Sequence, residues 1–471
     1  MKYIFRYIFT ILTVFSICLS AAAQKTTGNP KSQQDLLIWG GTVVTMDKDR
    51  RVIENGAVLV RGNKIVAVGK TEEIRPRSYA AINATGYVII PGLINTHTHV
   101  PMSLFRGIAD DLDLQEWLTN YIFPAEAKNV DEAFVRAGTR LGVAEMLLGG
   151  TTTYADMYYF EDAIADETAK AGMRAVLGET ILDFPAPDNK TWADGIAYTE
   201  RFIKKWQDHP LIVPAIAPHA PYTVSQEHLL EARGVADRLN APLLIHLAEA
   251  KTETEYTQQK YKGMRPIEFV DSIGFLKGKT VAAHVVQANE KELDILKRRD
   301  VGVAHNPQSN MKLAAGVAPV PAMLERGMRV GLGTDGAASN NDLNIWEEMD
   351  TAAKLHKVFS GDPKVVSAEQ AFEMATIGGA RALYMEDRIG SLEAGKLADI
   401  VLVDLRGLKT QPMYNVYSHL VYAAKSTDVK AVIIDGKMVM QNGRLFFMNE
   451  SAIKRDANAY REKIINSLSK K

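Results

Sequence analysis

The stretch PGLINTHTHVPMSLFRGIADDLDLQEW, residues 91–117, decides the fold. The apolar run Val88-Ile89-Ile90 precedes it, and the two together are typical of a buried strand. Because side chains alternate along a strand, His97 and His99 at its end project to the same side. Two such imidazoles can bind one metal ion. A His-x-His pair alone is more often an ordinary strand edge, so the hypothesis depends on further ligands elsewhere in the chain.

Seven more apolar runs follow at regular intervals, with helical segments between them. Asn129 and Ser225 are predicted to cap two of the helices, and Ser367 begins a capping box for a later one. Eight strands, each followed by a helix, predict the α/β class and a TIM-like (β/α)8 barrel over residues 91–385. The predicted strands are Val88–Asn95, Thr151–Asp156, Arg174–Thr180, Ile212–Pro218, Leu243–His246, Val281–His284, Val301–His305 and Val330–Thr334.

Short β-rich runs flank the barrel on both sides, in residues 24–90 and 386–450. Gly62-Asn63 and Asp435-Gly436 are hairpin signals between such runs. Neither piece is long enough to form a stable domain alone, so we predict one small β-sandwich domain built from both chain ends, with two separate β extensions as the alternative. Residues 451–471 are predicted to form a C-terminal helix that packs through one apolar face.

The first 23 residues have the pattern of a secretory signal peptide. Lys2 and Arg6 precede the apolar run Ile8–Cys18, and three alanines end the segment before Gln24. The alternative, a membrane anchor, is disfavoured because the run is shorter than the roughly 20 residues that span a bilayer. We therefore expect an exported protein, periplasmic or secreted, with no membrane association after cleavage.

Composition excludes several classes of function. Cys18 is the single cysteine and would leave with the signal peptide, so thiol catalysis and cysteine zinc sites are excluded. The 55 basic and 56 acidic residues balance, which gives no basic surface for nucleic acid. A small-molecule substrate is the expectation that remains.

Polar residues stand at the ends of four predicted strands, where barrel enzymes place their active sites. His97 and His99 end strand one, and Asp335 ends strand eight. His246 ends strand five with Glu249 three residues later, and His284 ends strand six. Three histidines and one aspartate suit a divalent metal with one position left for water, whose pKa the metal lowers from about 15.7 towards 7.

One metal ion is predicted rather than two. Strand four and the residues after it, IVPAIAPHA, lack the lysine or glutamate that commonly supports an anion bridging two ions. Zinc is the expected metal, and the same ligand set also suits Fe²⁺ and, to a lesser degree, Mn²⁺.

Five motifs together resemble the amidohydrolase superfamily, most closely its 5-methylthioadenosine/S-adenosylhomocysteine deaminase branch, which neighbours the s-triazine hydrolases. The motifs are PGLINTHTHVPMSLFRGIADDLDLQEWL, IHLAE, AAHVV, AHNPQSNMKL and GLGTDGAASNNDLNIWEEM. The resemblance implies that the metal is held by four residues, His97, His99, His246 and Asp335. It also implies that His284 and Asp335 deprotonate the attacking water, and that Glu249 protonates the ring nitrogen beside the reacting carbon.

The resemblance also assigns three residues to the substrate. Trp117 would pack on the base, Glu126 would bind the ribose, and His219 would lie near the ribose. Alternatively, Trp117 is a helix-packing residue and Glu126 a solvated charge. The strand-seven residues His305 and Asn306 receive no role.

The substrate is expected to be a neutral adenosine-like nucleoside. Branch members that take S-adenosylhomocysteine place arginines after strand three, whereas here the next arginine after Arg174 is Arg201. The predicted function is hydrolytic deamination of an exocyclic amine. The alternatives are hydrolysis of another C–N or C–Cl bond, in an s-triazine or cyclic amide, and a non-catalytic binding protein. The resemblance also allows a homo-oligomer.

Overall fold

The computed structural model describes residues 35–74 and 79–469 of the chain. The predicted signal peptide, residues 1–23, lies outside the described residues. Within the described part, no helix combines the length and the apolar character that a membrane span requires.

Seventeen strands and sixteen helices make up the described fold. The strands are β1 Asp35–Val44, β2 Val52–Arg61, β3 Lys64–Lys70, β4 Tyr79–Asn83, β5 Tyr87–Pro91, β6 Leu93–Thr98, β7 Thr151–Tyr158, β8 Arg174–Ile181, β9 Ile212–Pro218, β10 Leu243–Leu247, β11 Thr280–His284, β12 Gly302–His305, β13 Arg329–Leu332, β14 Ile400–Asp404, β15 Val429–Ile434, β16 Lys437–Gln441 and β17 Arg444–Leu445. The helices are α1 Leu114–Glu116, α2 Phe123–Asn129, α3 Glu132–Leu148, α4 Glu161–Ala171, α5 Trp192–Trp206, α6 Gln226–Leu239, α7 Lys251–Lys260, α8 Pro266–Ser272, α9 Glu290–Arg298, α10 Pro307–Lys312, α11 Val320–Glu325, α12 Ile345–Ser360, α13 Ala368–Met374, α14 Ile377–Ala382, α15 Val416–Ser418 and α16 Glu450–Ser469.

Strands β6 to β13 lie side by side in chain order and pair in parallel, which confirms the predicted barrel. The first and last strands of this order, β6 and β13, are connected through hydrogen bonds that involve the side chains of Asn95 and Thr334. Asn95 Nδ2 donates to Thr334 Oγ1 at 2.7 Å, and Thr334 N donates to Asn95 Oδ1 at 3.0 Å. Asp335 N then donates to His97 O at 3.0 Å. The barrel is therefore joined at the end of β6, beside the His-x-His pair.

The remaining nine strands form one mixed sheet from both chain ends. Strand β14 pairs antiparallel with β5, so the C-terminal strands extend a sheet that the N-terminal strands begin. One face of this sheet buries its own apolar cluster, which includes Ile38, Ile89 and Ile400. The prediction of a single β domain built from both ends is confirmed, and the alternative of two separate extensions is wrong.

The predicted first strand, Val88–Asn95, is in fact two strands in two different sheets. Strand β5 ends at Pro91 in the β domain, and β6 begins at Leu93 in the barrel. Between them, Gly92 N donates to Asp399 O, and a Cβ at Gly92 would lie only 1.9 Å from Thr152 Oγ1. Glycine is required here because the chain crosses between the two sheets in close contact with β7.

The helix starts were predicted with mixed success. Ser225 and Ser367 cap α6 and α13 as expected. Asn129 was wrong as a cap, because it ends α2, where its Nδ2 donates to Ala125 O. Asp131 caps α3 instead, since its side chain accepts a hydrogen bond from Phe134 N at 2.7 Å.

A buried ion pair joins the barrel to the β domain. Arg174, at the start of β8, is fully buried, and its guanidinium contacts both carboxylate oxygens of Asp399 at 2.8 and 3.1 Å. Its Nη1 donates to Pro210 O, so three of its donors are satisfied within the core. Arg174 is therefore structural, and it lies at the opposite end of β8 from the residues that line the site.

Candidate active site

The five predicted strand-end residues meet in one buried cluster. The imidazole ring of His97 is 4.9 Å from that of His99, 5.0 Å from that of His246 and 5.3 Å from that of His284, measured between centroids. Asp335 Oδ1 lies 3.3 Å from His97 Nε2 and 3.2 Å from His99 Nε2. These residues form two overlapping sets of three potential ligands, each within 4.8 Å and both containing His97.

The ring nitrogens of this cluster are arranged for a metal ion. His99 Nδ1 bonds Met157 O at 2.6 Å, and His246 Nδ1 bonds His219 O at 2.9 Å. A carbonyl can only accept, so each Nδ1 carries the proton and each Nε2 presents a lone pair to the centre. Nε2 of His99 and Nε2 of His246 lie 3.2 Å apart, and Nε2 of His97 is buried without a hydrogen-bond partner. Converging lone pairs of this kind are costly unless a cation binds them.

Asp335 is held so that one oxygen faces the histidines. Ser309 Oγ and Ser339 Oγ donate to its Oδ2 at 2.7 and 3.0 Å, which leaves Oδ1 towards His97 and His99. Burial alone would raise the pKa of Asp335, but its close contact with the imidazoles of His97 and His99 holds this pKa well below its usual range. Asp335 is therefore a carboxylate, the form that binds a metal.

Glu249 lies beside His284, a member of this cluster, and both residues line the cavity. Glu249 Oε1 is 3.8 Å from His284 Nε2, and burial raises the pKa of the Glu249 carboxyl. His284 Nδ1 has two polar neighbours. Asn310 Oδ1 is the nearer, at 2.9 Å, and Asn306 Nδ2 is 3.3 Å away. Donation from Nδ1 to Asn310 leaves His284 Nε2 free to accept a proton beside a carboxyl that can carry one.

The strand ends that carry these groups are strained. Four non-glycine residues at the ends of β10, β11 and β13 have left-handed backbone angles, with φ of 53° at Ala248, 74° at His284, 49° at Val285 and 62° at Asp335. Such conformations cost on the order of 1–3 kcal/mol each and persist only where the surroundings enforce them. The strain turns the chain sharply, so that side chains on successive strand ends point into one centre.

The three predicted substrate residues line one cavity that opens from the metal cluster. Trp117 is buried, and its Nε1 has no hydrogen-bond partner. Glu126 is also buried and accepts a hydrogen bond from Tyr158 Oη at 2.7 Å. His219 packs on His246, with ring centroids 4.7 Å apart. Glu126 is therefore not a solvated charge, whereas Trp117 both lines the cavity and belongs to the apolar core.

The segment between β6 and Trp117 makes side-chain contacts with two other segments of the barrel. Lys312 Nζ, in α10, donates to Asp110 Oδ1 at 2.5 Å and to Asn341 Oδ1 at 2.6 Å. These contacts tie together the segments that follow β6, β12 and β13. The segment that leads from β6 to Trp117 is thus held by an ion pair to the segments that follow β12 and β13.

Several residues around the cavity were not predicted. Ser309, Asn310 and Ser339 lie inside the quoted motifs, where their spacing from His305 and Asp335 was a usable signal. Tyr158 and Thr180 also line the cavity. Each is a polar residue at or beside the end of a buried strand, the same position that identified the histidines.

The histidines outside the cluster have packing roles. His305 and His356 bury their rings against each other, with the two Nε2 atoms 3.1 Å apart, and burial lowers the pKa of both. His228 stacks on Trp192 at 4.2 Å. His305 does not line the cavity. Ser309 and Asn310, which follow strand seven, instead contact Asp335 and His284.

Comparison with known families places this architecture. Residues 88–439, most of the chain, match the family described as "Amidohydrolase family". Residues 56–77 match the family described as "Imidazolonepropionase-like composite domain, bacteria". The chain belongs to the amidohydrolase family. It is 49% identical over 420 residues to a 5-methylthioadenosine/S-adenosylhomocysteine deaminase of Syntrophobacter fumaroxidans, covering 89% of this chain and 95% of that protein.

Two solved structures are similar to this amidohydrolase over nearly their whole length. An adenosine deaminase from Xanthomonas campestris with bound zinc superposes with a TM-score of 0.90 at 40% identity, covering 92% of this chain and 99% of that one. An atrazine chlorohydrolase of Arthrobacter aurescens complexed with zinc superposes with a TM-score of 0.84 at 25% identity, covering 90% and 100%. The predicted resemblance to the deaminase branch and its triazine-hydrolase relatives is confirmed.

Ser309→Ala should weaken metal binding by this amidohydrolase without unfolding it. The change removes one of the two hydroxyls that orient Asp335, and loss of such outer partners typically costs about 10–100-fold in metal affinity. Metal content after dialysis against a graded chelator would measure this. Ser272→Ala, which removes a hydroxyl at the end of α8, is the control. Equal metal retention by both variants would contradict the role of Ser309.

Proposed function

We propose that this amidohydrolase deaminates the exocyclic amine of adenosine-like nucleosides, with water as co-substrate and ammonia as product. One observation carries the proposal: Glu249 and His284 face each other between the metal cluster and a cavity that contains Trp117 and Glu126. The same cavity therefore contains a proton donor, a proton acceptor, an aromatic surface and a buried carboxylate. The similarity to a 5-methylthioadenosine/S-adenosylhomocysteine deaminase supports it.

The metal site fits a single zinc ion. The residues that would hold it are His97, His99, His246 and Asp335, because three neutral imidazoles and one carboxylate are a typical catalytic zinc set. Bound there, the ion would act as a Lewis acid that makes water acidic at neutral pH. The two zinc-containing structural relatives support this choice of metal.

The chain's own residues then move the protons. His284 Nε2 accepts a proton from the attacking water, with the Asp335 carboxylate beside it. The Glu249 carboxyl, which burial keeps able to hold a proton, gives one to the ring nitrogen next to the reacting carbon. When the carbon–nitrogen bond breaks, the Glu249 carboxylate takes the second proton of the attacking water from the ring hydroxyl and passes it to the departing amine, and the proton held by His284 then returns to Glu249. Water oxygen thus replaces nitrogen on the ring.

The cavity orients the nucleoside for this reaction. Trp117 offers a flat apolar surface to the base. Glu126, held by Tyr158, can accept hydrogen bonds from the two ribose hydroxyls, and the base then points towards Glu249. This arrangement holds the reacting groups in the right geometry, so the reaction between them becomes effectively unimolecular.

Ammonia release by residues 24–471 with added zinc tests the proposal. The panel is adenosine, 5-methylthioadenosine, guanine, cytosine and a chloro-s-triazine. Release from the adenosine-like compounds alone is the expected result. Turnover of the triazine alone, with chloride released, would replace this proposal with the halide-hydrolase alternative that the Arthrobacter aurescens structure represents. A fully metallated protein that turns over none of them would contradict it.

Glu249→Gln should keep the metal and lose deamination. An amide has nearly the same shape but cannot deliver a proton, and positioned proton transfer contributes typically 10²–10⁴-fold to rate. We expect kcat to fall by about that factor with unchanged zinc content. Glu255→Gln, on the exposed face of α7, is the matched control. Wild-type kcat in the Glu249 variant would remove the residue from proton transfer.

The binding of ribose should depend on pH through Glu126. Burial raises the pKa of this carboxyl to about 7, although the hydrogen bond from Tyr158 opposes the shift. Because the charged form is the better acceptor, KM for adenosine should rise as the pH falls from 8 to 6. The ratio of KM for adenosine to KM for 2′,3′-dideoxyadenosine isolates this effect from titration of the metal site. A ratio independent of pH, or one unchanged in Glu126→Gln, would contradict it.

We further propose that the protein is exported and cleaved before Gln24. The basic, apolar and small-residue order of residues 1–23 supports this. Mass spectrometry of the protein from fractionated cells should find a mature N-terminus at Gln24 outside the cytoplasm. An intact N-terminus on cytoplasmic enzyme would contradict the proposal.

A further inference from the structure

The turn between β10 and α7 carries Glu249 and is one of the strained parts of the fold. Ala248, its first residue, has a φ of 53° although it is not a glycine, and it is fully buried. Glu249 follows it and lines the cavity. A left-handed alanine persists only where its surroundings enforce that conformation. The contacts of this turn therefore decide where the Glu249 carboxyl lies.

A second glutamate binds both N–H groups of this turn. Glu253 Oε1 accepts a hydrogen bond from Ala248 N at 3.0 Å, and Glu253 Oε2 accepts one from Glu249 N at 2.8 Å. Glu253 is only 3% exposed, and it does not line the cavity. One buried carboxyl thus holds two consecutive backbone groups, the second of which belongs to the proposed proton carrier.

These two hydrogen bonds are not the usual contacts of a glutamate in the first turn of a helix. Glu253 is the third residue of α7, where a glutamate commonly accepts from the backbone N–H of the N-cap residue, here Ala250. Its carboxyl instead contacts the N–H groups one and two residues further back in the chain. The side chain therefore supports the turn before the helix rather than the start of the helix.

The carbonyl groups beside this turn are bound by the segment that follows β11. Val285 N donates to Leu247 O at 3.1 Å, and Gln287 N donates to Ala248 O at 2.8 Å. These contacts involve only the backbone, so a change of side chain leaves their donors and acceptors in place. The N–H side of the turn depends on Glu253, which is the member of this arrangement that a substitution can remove.

A carboxyl suits two converging N–H donors better than any amide. Both of its oxygens can accept hydrogen bonds, whereas the amide of glutamine has one oxygen and presents an NH2 group on its other side. Burial and the nearby carboxyls of Glu249 and Glu292 raise the pKa of Glu253 to about 8, although the two backbone N–H groups oppose this shift. In the ionised and the protonated form alike, neither oxygen sets an N–H group against the backbone donors.

We propose that Glu253 is a positioning residue for the reaction, because it holds the turn that places Glu249 Oε1 at 3.8 Å from His284 Nε2. The inference rests on the proposed function, in which Glu249 carries protons. Without both hydrogen bonds the strained turn can relax, and Glu249 then departs from the geometry that proton transfer requires. The metal ligand of β10 is held separately, since His246 Nδ1 bonds His219 O.

Glu253→Gln tests this role in the zinc-loaded enzyme. The change keeps the size of the side chain but removes one of the two acceptors. We expect kcat for adenosine to fall by about 10–100-fold, since a misplacement of roughly 1 Å can cost about 10²-fold. KM and zinc content should stay unchanged. Wild-type kcat, or a fall in kcat explained by lost zinc, would overturn the inference.

Glu255→Gln is the matched control for this substitution. Glu255 lies two residues further along α7 and is exposed, so the same chemical change there touches neither the turn nor the cavity. Its kcat, KM and zinc content should equal those of the wild-type enzyme. An equal fall of kcat in both variants would overturn the inference, because the loss would then belong to the helix and not to the two hydrogen bonds.

A double substitution separates positioning from a general loss of structure. If Glu253 acts through Glu249, the variant that carries both Glu249→Gln and Glu253→Gln should have the same kcat as Glu249→Gln alone, because the group to be positioned is already absent. If Glu253 supports the barrel in general, the two losses of kcat should multiply. Multiplied losses would overturn the inference.

Hydrogen exchange tests the two hydrogen bonds without any substrate. Mass spectrometry of peptides that contain Ala248 and Glu249 should show about tenfold faster exchange in Glu253→Gln, because these two amides lose a buried acceptor. Exchange of the same peptides in Glu255→Gln should match the wild-type protein. Wild-type exchange rates in both variants would overturn the inference.

Failure of this inference is distinguishable from failure of the proposed function. If the zinc-loaded wild-type enzyme releases ammonia from no adenosine, the deaminase function is wrong, and the positioning role fails with it whatever the exchange rates. If the wild-type enzyme deaminates adenosine and Glu253→Gln does so equally well, the deaminase function stands and the positioning role of Glu253 does not.

Discussion

The hydrogen bond from Asp335 N to His97 O joins the last barrel strand to the first at the level of the metal cluster. The paired contacts between Asn95 and Thr334 lie one step below it. The same junction brings the Asp335 carboxylate within 3.3 Å of both His97 and His99. Closure of the barrel and assembly of the metal site therefore depend on the same few residues. A substitution that opened this junction would separate ligands that no other element could bring together.

This dependence explains how the site tolerates so much strain. Ala248, His284 and Asp335 hold left-handed backbone angles, and four imidazoles crowd into one buried volume. A strained backbone conformation costs about 1–3 kcal/mol per residue and persists only where rigid surroundings enforce it. The barrel provides it through a continuous apolar core beneath the site and through Ser309 and Ser339 around Asp335. A bound cation would remove the repulsion among converging lone pairs that the protein alone cannot relieve.

The sequence alone was sufficient to predict the barrel and the polar residues at the ends of its strands. Period-two alternation and apolar runs are local signals, and the position of His246 or His284 after such a run is visible without a structure. The division of Val88–Asn95 at Gly92 was not visible, because periodicity identifies a strand but not the sheet to which it belongs. Asn129 was mistaken for a cap because Asp131, two residues later, has the same chemistry. Phe123 begins α2 and Phe184 follows β8, so only the folded chain shows that their rings are in contact.

The positions of these groups around the barrel separate chemistry from specificity. The residues of the metal cluster and its proton carriers come from β6, β10, β11 and β13, whereas Tyr158, Thr180 and His219 come from β7, β8 and the end of β9. These three strands lie between β6 and β10, so they face the cluster across the cavity without contributing a metal ligand of their own. Substitutions there can change the shape of the cavity while the metal ligands are kept. Such a division allows the metal cluster to stay constant while the facing wall changes. It is consistent with the fold shared with an atrazine chlorohydrolase at only 25% identity.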